Sequence, residues 1–423
     1  MSRNQTKCRY LFEKFLNELE KWAETGKEPE CGDQDIRYYL DLQEQRLKEH
    51  DLKETIHFQP EEEICSSHEI SSALPFSEEL GLSRFNRSTC FQQVEKTLEF
   101  HRNGDRVYRK KSNSIVYEII TEADPEDETI GNTSYTCSNC GAISLVKVLK
   151  ETGCPYCGTK FMTDELYPKV TNFYTLMSPV LTKKEDKYIK PAICILAVVI
   201  SLIQTLLSAG GEDFHPVIGV LGFLAGIVIW GFFLYFISAI VLLCRVIHLG
   251  IRSFSVCTGS AGSKRRLTNK LRKYDPEFDY EYFEGKALSL ARTIMLSKNP
   301  ESFPQYRGPE TGERFKDIID IRYRGGLGVN YIKNEEDKLK ISLKLFLTNT
   351  IDNGKKVKDK DEIITMEMFH YSRFPVDKGF SITKVCCPHC GGSFDGRKEK
   401  NCIFCGTEYD SGINDWVVTD IRR

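Results

Sequence analysis

Two long apolar runs in the middle of the chain interrupt an otherwise mixed pattern. Residues 191–209 (PAICILAVVISLIQTLLSA) carry no charge over nineteen positions, about what a helix needs to cross a hydrocarbon core of ~30 Å. Residues 217–244 form a second uncharged run, long enough to span with tilt. Two buried helices of a soluble core would need more apolar surroundings than the rest of this chain supplies. The pattern changes on either side. Residues 9–24 set Leu11, Phe12, Phe15, Leu16, Leu19 and Trp22 on one stripe, and 33–50 continue with a second helical pattern through Ile36, Tyr39, Leu40 and Leu47. Residues 57–90 mix Glu, Ser and Pro with little periodicity and read as a linker. Alternation over 105–121 predicts a β-hairpin. Beyond the apolar runs, an amphipathic helix passes through Ala287, Leu290, Ala291 and Ile294. Strand patterns follow at 317–323, 339–350, 363–370, 380–385 and 415–421.

Charge orients the apolar pair. Lys183, Lys184, Lys187 and Lys190 precede it. Arg245, Arg252, Lys264, Arg265, Arg266, Lys270, Arg272 and Lys273 follow, with no Asp or Glu over 245–273. Positive flanks stay inside. The expectation is a multi-pass cell-membrane protein with two spans (188–248), both termini cytoplasmic and 210–216 outside. The basic stretch serves as topology signal and as attraction for anionic headgroups of the lipid bilayer. Ser201, Gln204, Thr205 and Ser208 fall on one helix face, and Gly222 and Gly226 make a small-xxx-small step. Both fit packing within a hairpin. No Asp, Glu, Lys or Arg lies inside either span, so the pair reads as an anchor. A conduction path would require a homo-oligomer.

The chain as a whole carries a net charge of −2, but residues 1–135 hold 18 Lys/Arg against 28 Asp/Glu, a net of −10. Phosphate contacts need clustered Lys and Arg, so nucleic acid is disfavoured as a partner.

Half of the sixteen cysteines form two matched sets. The first is Cys137-x-x-Cys140-Gly and Cys154-Pro-Tyr-Cys157-Gly, thirteen residues apart. The second is Cys387-Pro-His-Cys390-Gly and Cys402-Ile-Phe-Cys405-Gly, eleven apart. A CxxC turn presents two thiolates, and two such turns complete a tetrahedral Zn²⁺ site. The expectation is two zinc ribbons with Zn²⁺ in two structural sites, each closed by four thiolates and so without catalytic vacancy. Cys8, Cys31, Cys65, Cys90, Cys194, Cys244, Cys257 and Cys386 show no pairing pattern, and His389 reads as a spacer between ligands. Thiolate sites persist in reducing compartments, in keeping with a cytosolic location for the ribbons. No Ser-His-Asp, H-E-x-x-H or paired-carboxylate arrangement appears, and no catalytic residue is assigned. Arg324-Gly-Gly-Leu-Gly328 resembles a phosphate loop only faintly; a strand turn or bulge accounts for it.

Read together, these elements predict an α+β chain in six parts. They are a helical region (1–56), the linker (57–90), a hairpin with the first ribbon (91–170), the membrane hairpin (188–248), a basic linker (249–274) and a C-terminal domain (275–423) with the second ribbon inserted at 386–408. That last domain opens on Asp275-Pro276-Glu277-Phe278 with Phe283 beyond, and closes on Trp416-Val-Val-Thr-Asp-Ile421. Over about 275–421 it resembles the Tim-forty-four-like family, named for the motor-docking subunit of a mitochondrial protein translocase and including bacterial members with zinc ribbons and membrane spans. The resemblance implies a cystatin-like α+β cone and action by protein or peripheral membrane contact, not by known chemistry: a scaffold for a protein client in transport or membrane-associated assembly. A membrane-tethered regulatory or nucleic-acid-binding ribbon protein is the alternative. Segment 298–312 is short and Pro-rich where the family has further helices. The second ribbon lies between strands 380–385 and 415–421, where zinc would clip the two strands together. Trp416 is expected to pack on the helix through Leu290 or Ile294.

Overall fold

The computed structural model describes residues 3–61, 65–70, 85–123, 134–136, 140, 142–158, 169–177, 183–208, 216–276, 278–311, 313–372, 384–386, 389, 393–395, 401–408 and 415–423. It is a mixed α+β structure in two compact units. One unit is formed by Met1–Leu176 with Val256–Arg423, the other by Met177–Ser255.

In the first unit, α1 (Arg3–Thr25) buries its apolar stripe, including Phe12, Phe15 and Leu19, against Cys90, Val94, Val116 and Ile120 of a sheet. Asp33 caps α2 (Gln34–Glu49) by accepting from the Ile36 amide at 2.9 Å. β1 (Leu52–Pro60) and β2 (Cys65–Ile70) pair antiparallel with successive parts of β3 (Phe85–Arg102). Asn103 and Gly104, both at positive φ, turn the chain into β4 (Asp105–Ala123). After β5 (Ser134–Thr136), β6 (Ile143–Leu145) and α3 (Val146–Glu151), β7 (Lys169–Met177) completes the order β1-β3-β4-β7, with β2 also on β3.

The apolar runs form α4 (Lys183–Ser208) and α5 (Pro216–Ser260). Within their unit, Trp230 Nε1 donates to Gln204 Oε1 at 2.7 Å, and a Cβ at Gly226 would lie 2.8 Å from Ser201 Oγ. Small and polar residues thus bring the two helices together.

The rest of the first unit begins with α6 (Ser263–Leu271) and α7 (Tyr280–Leu296), the latter capped by Asp279, which accepts from the Tyr282 amide at 2.8 Å. β8 (Ile318–Glu335), β9 (Lys338–Asp352) and β10 (Val357–Tyr371) form an antiparallel meander. β11 (Lys384–Cys386) and β12 (Ser393–Asp395) make a separate hairpin, and β13 (Val417–Arg422) returns to β10, giving β13-β10-β9-β8.

The same plan is therefore built twice. Each copy has two helices, the second capped by Asp, then strands in meander order, an Asn-Gly turn (Asn103-Gly104 and Asn353-Gly354), a cysteine segment, and a closing strand beside the last meander strand. A short parallel bridge covers each closing strand, Gly32 on Val170 and Tyr306 on Val418.

Four expectations change. The segment read as a linker contains the end of β1, β2 and the start of β3. Residues 105–121 are not a hairpin but one strand, because the turn falls at Asn103-Gly104 and the partner strand lies upstream. Strand 380–385 is described only from Lys384, where β11 pairs with β12; 415–421 pairs with β10 instead, so the second cysteine set does not join those two strands. Finally, α7 is buried on every side from Phe283 to Leu296, where a one-sided stripe was expected. Trp416 does join the core that holds Leu290 and Ile294, with its ring centroid 5.3 Å from that of Phe283. The glycine run of β8 is a bulge, the register shifting between Tyr323 and Leu327. It admits the end of α5, since a Cβ at Gly326 would sit 2.3 Å from Val256 Cγ1.

α7 lacks a solvent face because α2 covers it. Tyr38 and Leu42 of α2 share its core, and Arg46 donates to Leu296 O and Phe315 O, each at 2.8 Å. Lys286, 3% exposed, places Nζ 2.8 Å from Asp415 Oδ2 and 3.3 Å from Asp35 Oδ2. It ties α7 to α2 and to the approach to β13. Removing one partner of such a buried set leaves charges uncompensated, so Lys286→Ala should cost about 3–5 kcal/mol in denaturant unfolding of the detergent-solubilised chain. A loss within 1 kcal/mol would disprove this role.

A second set, partly buried, lies between the sheets. Lys110 Nζ is 2.6 Å from Asp359 Oδ2, Arg322 pairs with Asp359 and Asp320, and Gln43 Nε2 donates to Glu54 Oε2 at 3.0 Å. Burial, helped by Asp320 and opposed by Lys96, pushes the Glu54 carboxyl from 4.5 up to about 8. The folded chain then holds this proton more tightly than the unfolded chain. Its contribution is complete below the unfolded value and is lost as pH rises through about 8. Glu54→Gln should flatten the fall in melting temperature between pH 5 and pH 8 (about the window set by those two values); an unchanged slope would exclude Glu54 as its source.

Candidate metal centre

The first cysteine set is built from a hairpin and a helix end. β5 and β6 pair Thr136 with Ile143, so that the segment containing Cys137 and Cys140 is the hairpin loop; α3 then leads through Gly153 into Cys154 and Cys157. The sulfurs of Cys140, Cys154 and Cys157 all lie within 4.8 Å of one another, and Cys140 Sγ is 3.5 Å from Cys154 Sγ. Thiolates around one ion at ~2.3 Å stand roughly 3.8 Å apart in a tetrahedron, so the three sulfurs fit a shared metal. None of the three is in a disulfide; Cys154 is buried, and Cys140 and Cys157 are exposed.

The turn geometry has a backbone cause. Gly158, at φ +71°, directs its N–H back to Cys154 O at 2.8 Å, folding the Cys154–Cys157 segment under its own sulfurs. Only glycine adopts that φ without strain. The second set repeats this. Gly406 has φ +72° and donates to Cys402 O at 2.8 Å, while the Cys402 amide donates to Thr407 O at 2.9 Å. Cys402 is buried and Cys405 exposed, matching Cys154 and Cys157. The upstream hairpins also match. Cys386 pairs with Ser393 as Thr136 pairs with Ile143, each enclosing a CxxC segment of the same loop length.

Of the eight sequence-assigned ligands, the structure brings together Cys140, Cys154 and Cys157, and places Cys402 and Cys405 on one turn. Cys137, Cys387 and Cys390 lie outside the described residues. His389 is exposed in its turn. Cys31 is not among the clustered sulfurs, and burial and then Glu18 push its thiol up to about 11.

The chain matches no family model, no curated protein and no solved structure. Sequence reasoning missed the functional weight of α2 and α7, whose polar residues meet at the join between the two halves. The paired Asn-Gly turns and paired Asp caps were the available signal.

Cys154→Ser should lower the metal content of the purified chain by one equivalent, read by elemental mass spectrometry. No change would mean that the three sulfurs do not share an ion.

Proposed function

We propose that this chain is a membrane-anchored scaffold that holds a twice-built α+β unit, with two structural zinc ribbons, at the cytoplasmic face of a cell membrane for binding a protein client. The observation that carries the anchor is the surface of α5. None of its apolar stretch Val217–Val241 is buried by protein, and only 11% of Lys190–Ser208 is. A bilayer supplies the missing apolar surroundings. The two ribbons use Cys137, Cys140, Cys154, Cys157 and Cys387, Cys390, Cys402, Cys405. The repeated knuckle geometry supports treating the second set like the first. Four thiolates close a zinc site, which favours a structural role over catalysis.

A binding role accords with how the charged groups of the α+β unit are used. Glu284 accepts from Tyr323 at 2.6 Å and Tyr280 at 3.0 Å, and Lys286, Arg322 and Asp359 are spent on internal pairs. Under this reading the Tim-forty-four-like likeness of 275–421 points to protein transport or membrane-associated assembly. The helix-on-meander plan there is the part of the structure compatible with a cone.

The test combines topology with capture. A cysteine introduced at Gly211 should react with a membrane-impermeant thiol reagent in intact cells, and one at Thr258 should not. Crosslinking before detergent extraction should recover a discrete protein client that is lost when either ribbon's cysteines are replaced. Reversed labelling defeats the topology, and recovery of nucleic acid in place of a protein defeats the scaffold reading.

A further inference from the structure

The two halves carry an arginine at the same place on their second helix. Arg46 and Arg292 each lie thirteen residues beyond the capping aspartate, Asp33 and Asp279. Their surroundings differ. Arg46 donates from Nη1 to Phe315 O and from Nη2 to Leu296 O, and leaves only its Nε without a hydrogen bond. Arg292 is 5% exposed, its Nε has no hydrogen-bond partner, and no carboxylate among the described residues forms an ion pair with it. Its guanidinium carbon lies 4.7 Å from the Tyr39 ring centroid and 5.6 Å from that of Phe173, two rings that are themselves stacked at 6.2 Å. Ring faces attract a cation but accept no N–H bonds in the guanidinium plane. A buried charge with an unmatched Nε donor is expensive unless an anion meets it.

The neighbouring polar atoms are also without partners. Ser289, one turn before Arg292 on the same face of α7, leaves Oγ unbonded; so do Tyr39 Oη and Asn172 Nδ2. Asn172 lies against Gly285, one turn further down that face, its Nδ2 3.0 Å from where a Cβ would sit. Gly285, Ser289 and Arg292 recur at four- and three-residue spacing and form one stripe, about 10 Å long. Every one of these side chains can donate. Among the described residues no carboxylate pairs with this cluster, which distinguishes it from the ion-paired sets around Lys286 and Asp359.

We propose that Arg292, Ser289, Tyr39 and Asn172 form a buried oxyanion-binding site at the join between the two halves, taking the phosphate or carboxylate group of a small ligand. The planar fork of Arg292 engages two oxygens of the anion, with its faces held by Tyr39 and Phe173. Ser289 and Tyr39 donate to the remaining oxygens, and Asn172 addresses the far end of the stripe. Because the site draws on α2 and β7 from one half and α7 from the other, occupancy strengthens their packing. It is independent of the metal sites and of the client.

The experiment uses the full chain in detergent. Thermal unfolding is followed against inorganic phosphate and, separately, citrate, with chloride at matched ionic strength as reference. The proposal expects a saturable rise in midpoint of roughly 3 °C over chloride, and the arm that saturates lower identifies the preferred group. Arg292→Met should abolish the saturable part. Ser289→Ala removes a hydroxyl with no protein partner, so it should fold normally and raise the half-saturating concentration about fivefold. A non-saturating rise shared by wild type and Arg292→Met would overturn the proposal as a general salt effect. Should Arg292→Met fail to fold, an unchanged half-saturation in Ser289→Ala would overturn it equally.

Discussion

The α+β unit depends on burying one helix that is not apolar. α7 is enclosed from Phe283 to Leu296, yet it carries Glu284, Lys286, Ser289, Arg292 and Thr293 through that enclosure. A leucine-rich helix could be covered by any apolar surface. This one demands particular partners, because each buried charge costs several kcal/mol unless met. Asp35 meets Lys286 from α2, Asp415 meets it from the approach to β13, and the hydroxyls of Tyr280 and Tyr323 meet Glu284. Asp35 carries that requirement across to the first half.

That dependence explains why the N-terminal helices are not a separate appendage. α1 covers its own sheet in the ordinary way, with Phe12 and Phe15 buried. α2 faces two ways, sending Tyr39 and Leu40 to the first core and Tyr38 and Leu42 to the second. The join is further fixed at the hairpin tips, where Arg102 beside the first Asn-Gly turn reaches Asp352 at 2.5 Å and Gly354 O at 2.9 Å beside the second. Segments far apart in sequence, on either side of the apolar pair, are thereby held in one body.

Much of this was legible where periodicity is strong. The stripe of α1, the two apolar helices and the strands read at 317–323, 339–350 and 363–370 all appear where the pattern predicts them, although β8 and β10 run past the predicted bounds. The CxxC-Gly turns were legible because glycine at positive φ and two thiols per turn are local features. Three things were not. β2 and β3 lie in a Glu- and Ser-rich stretch whose strand character comes from cross-strand pairing. The hairpin at Asn103-Gly104 was displaced because its first strand has polar residues on both faces. The two-sided burial of α7 was invisible because half of its cover comes from α2, some 240 residues upstream by the sequence numbering. Periodicity within a segment carries no information about a distant partner.

The position of the cysteine segments follows from the same architecture. In each half the segment falls between the last meander strand and the closing strand, so it sets how the chain re-enters the sheet. In the second half only six residues, 409–414, separate Glu408 of the knuckle from Asp415. Asp415 then pairs with Lys286, Trp416 meets Phe283 edge-on and His370 at a tilt, and Val417 begins β13. A metal that tightens the knuckle shortens the free chain leading to these buried contacts and so lowers the entropy lost in forming them. A metal held there would act on stability at α7, through the closing strand, while Ile403 and Phe404 of the knuckle stay exposed and take no part in the core.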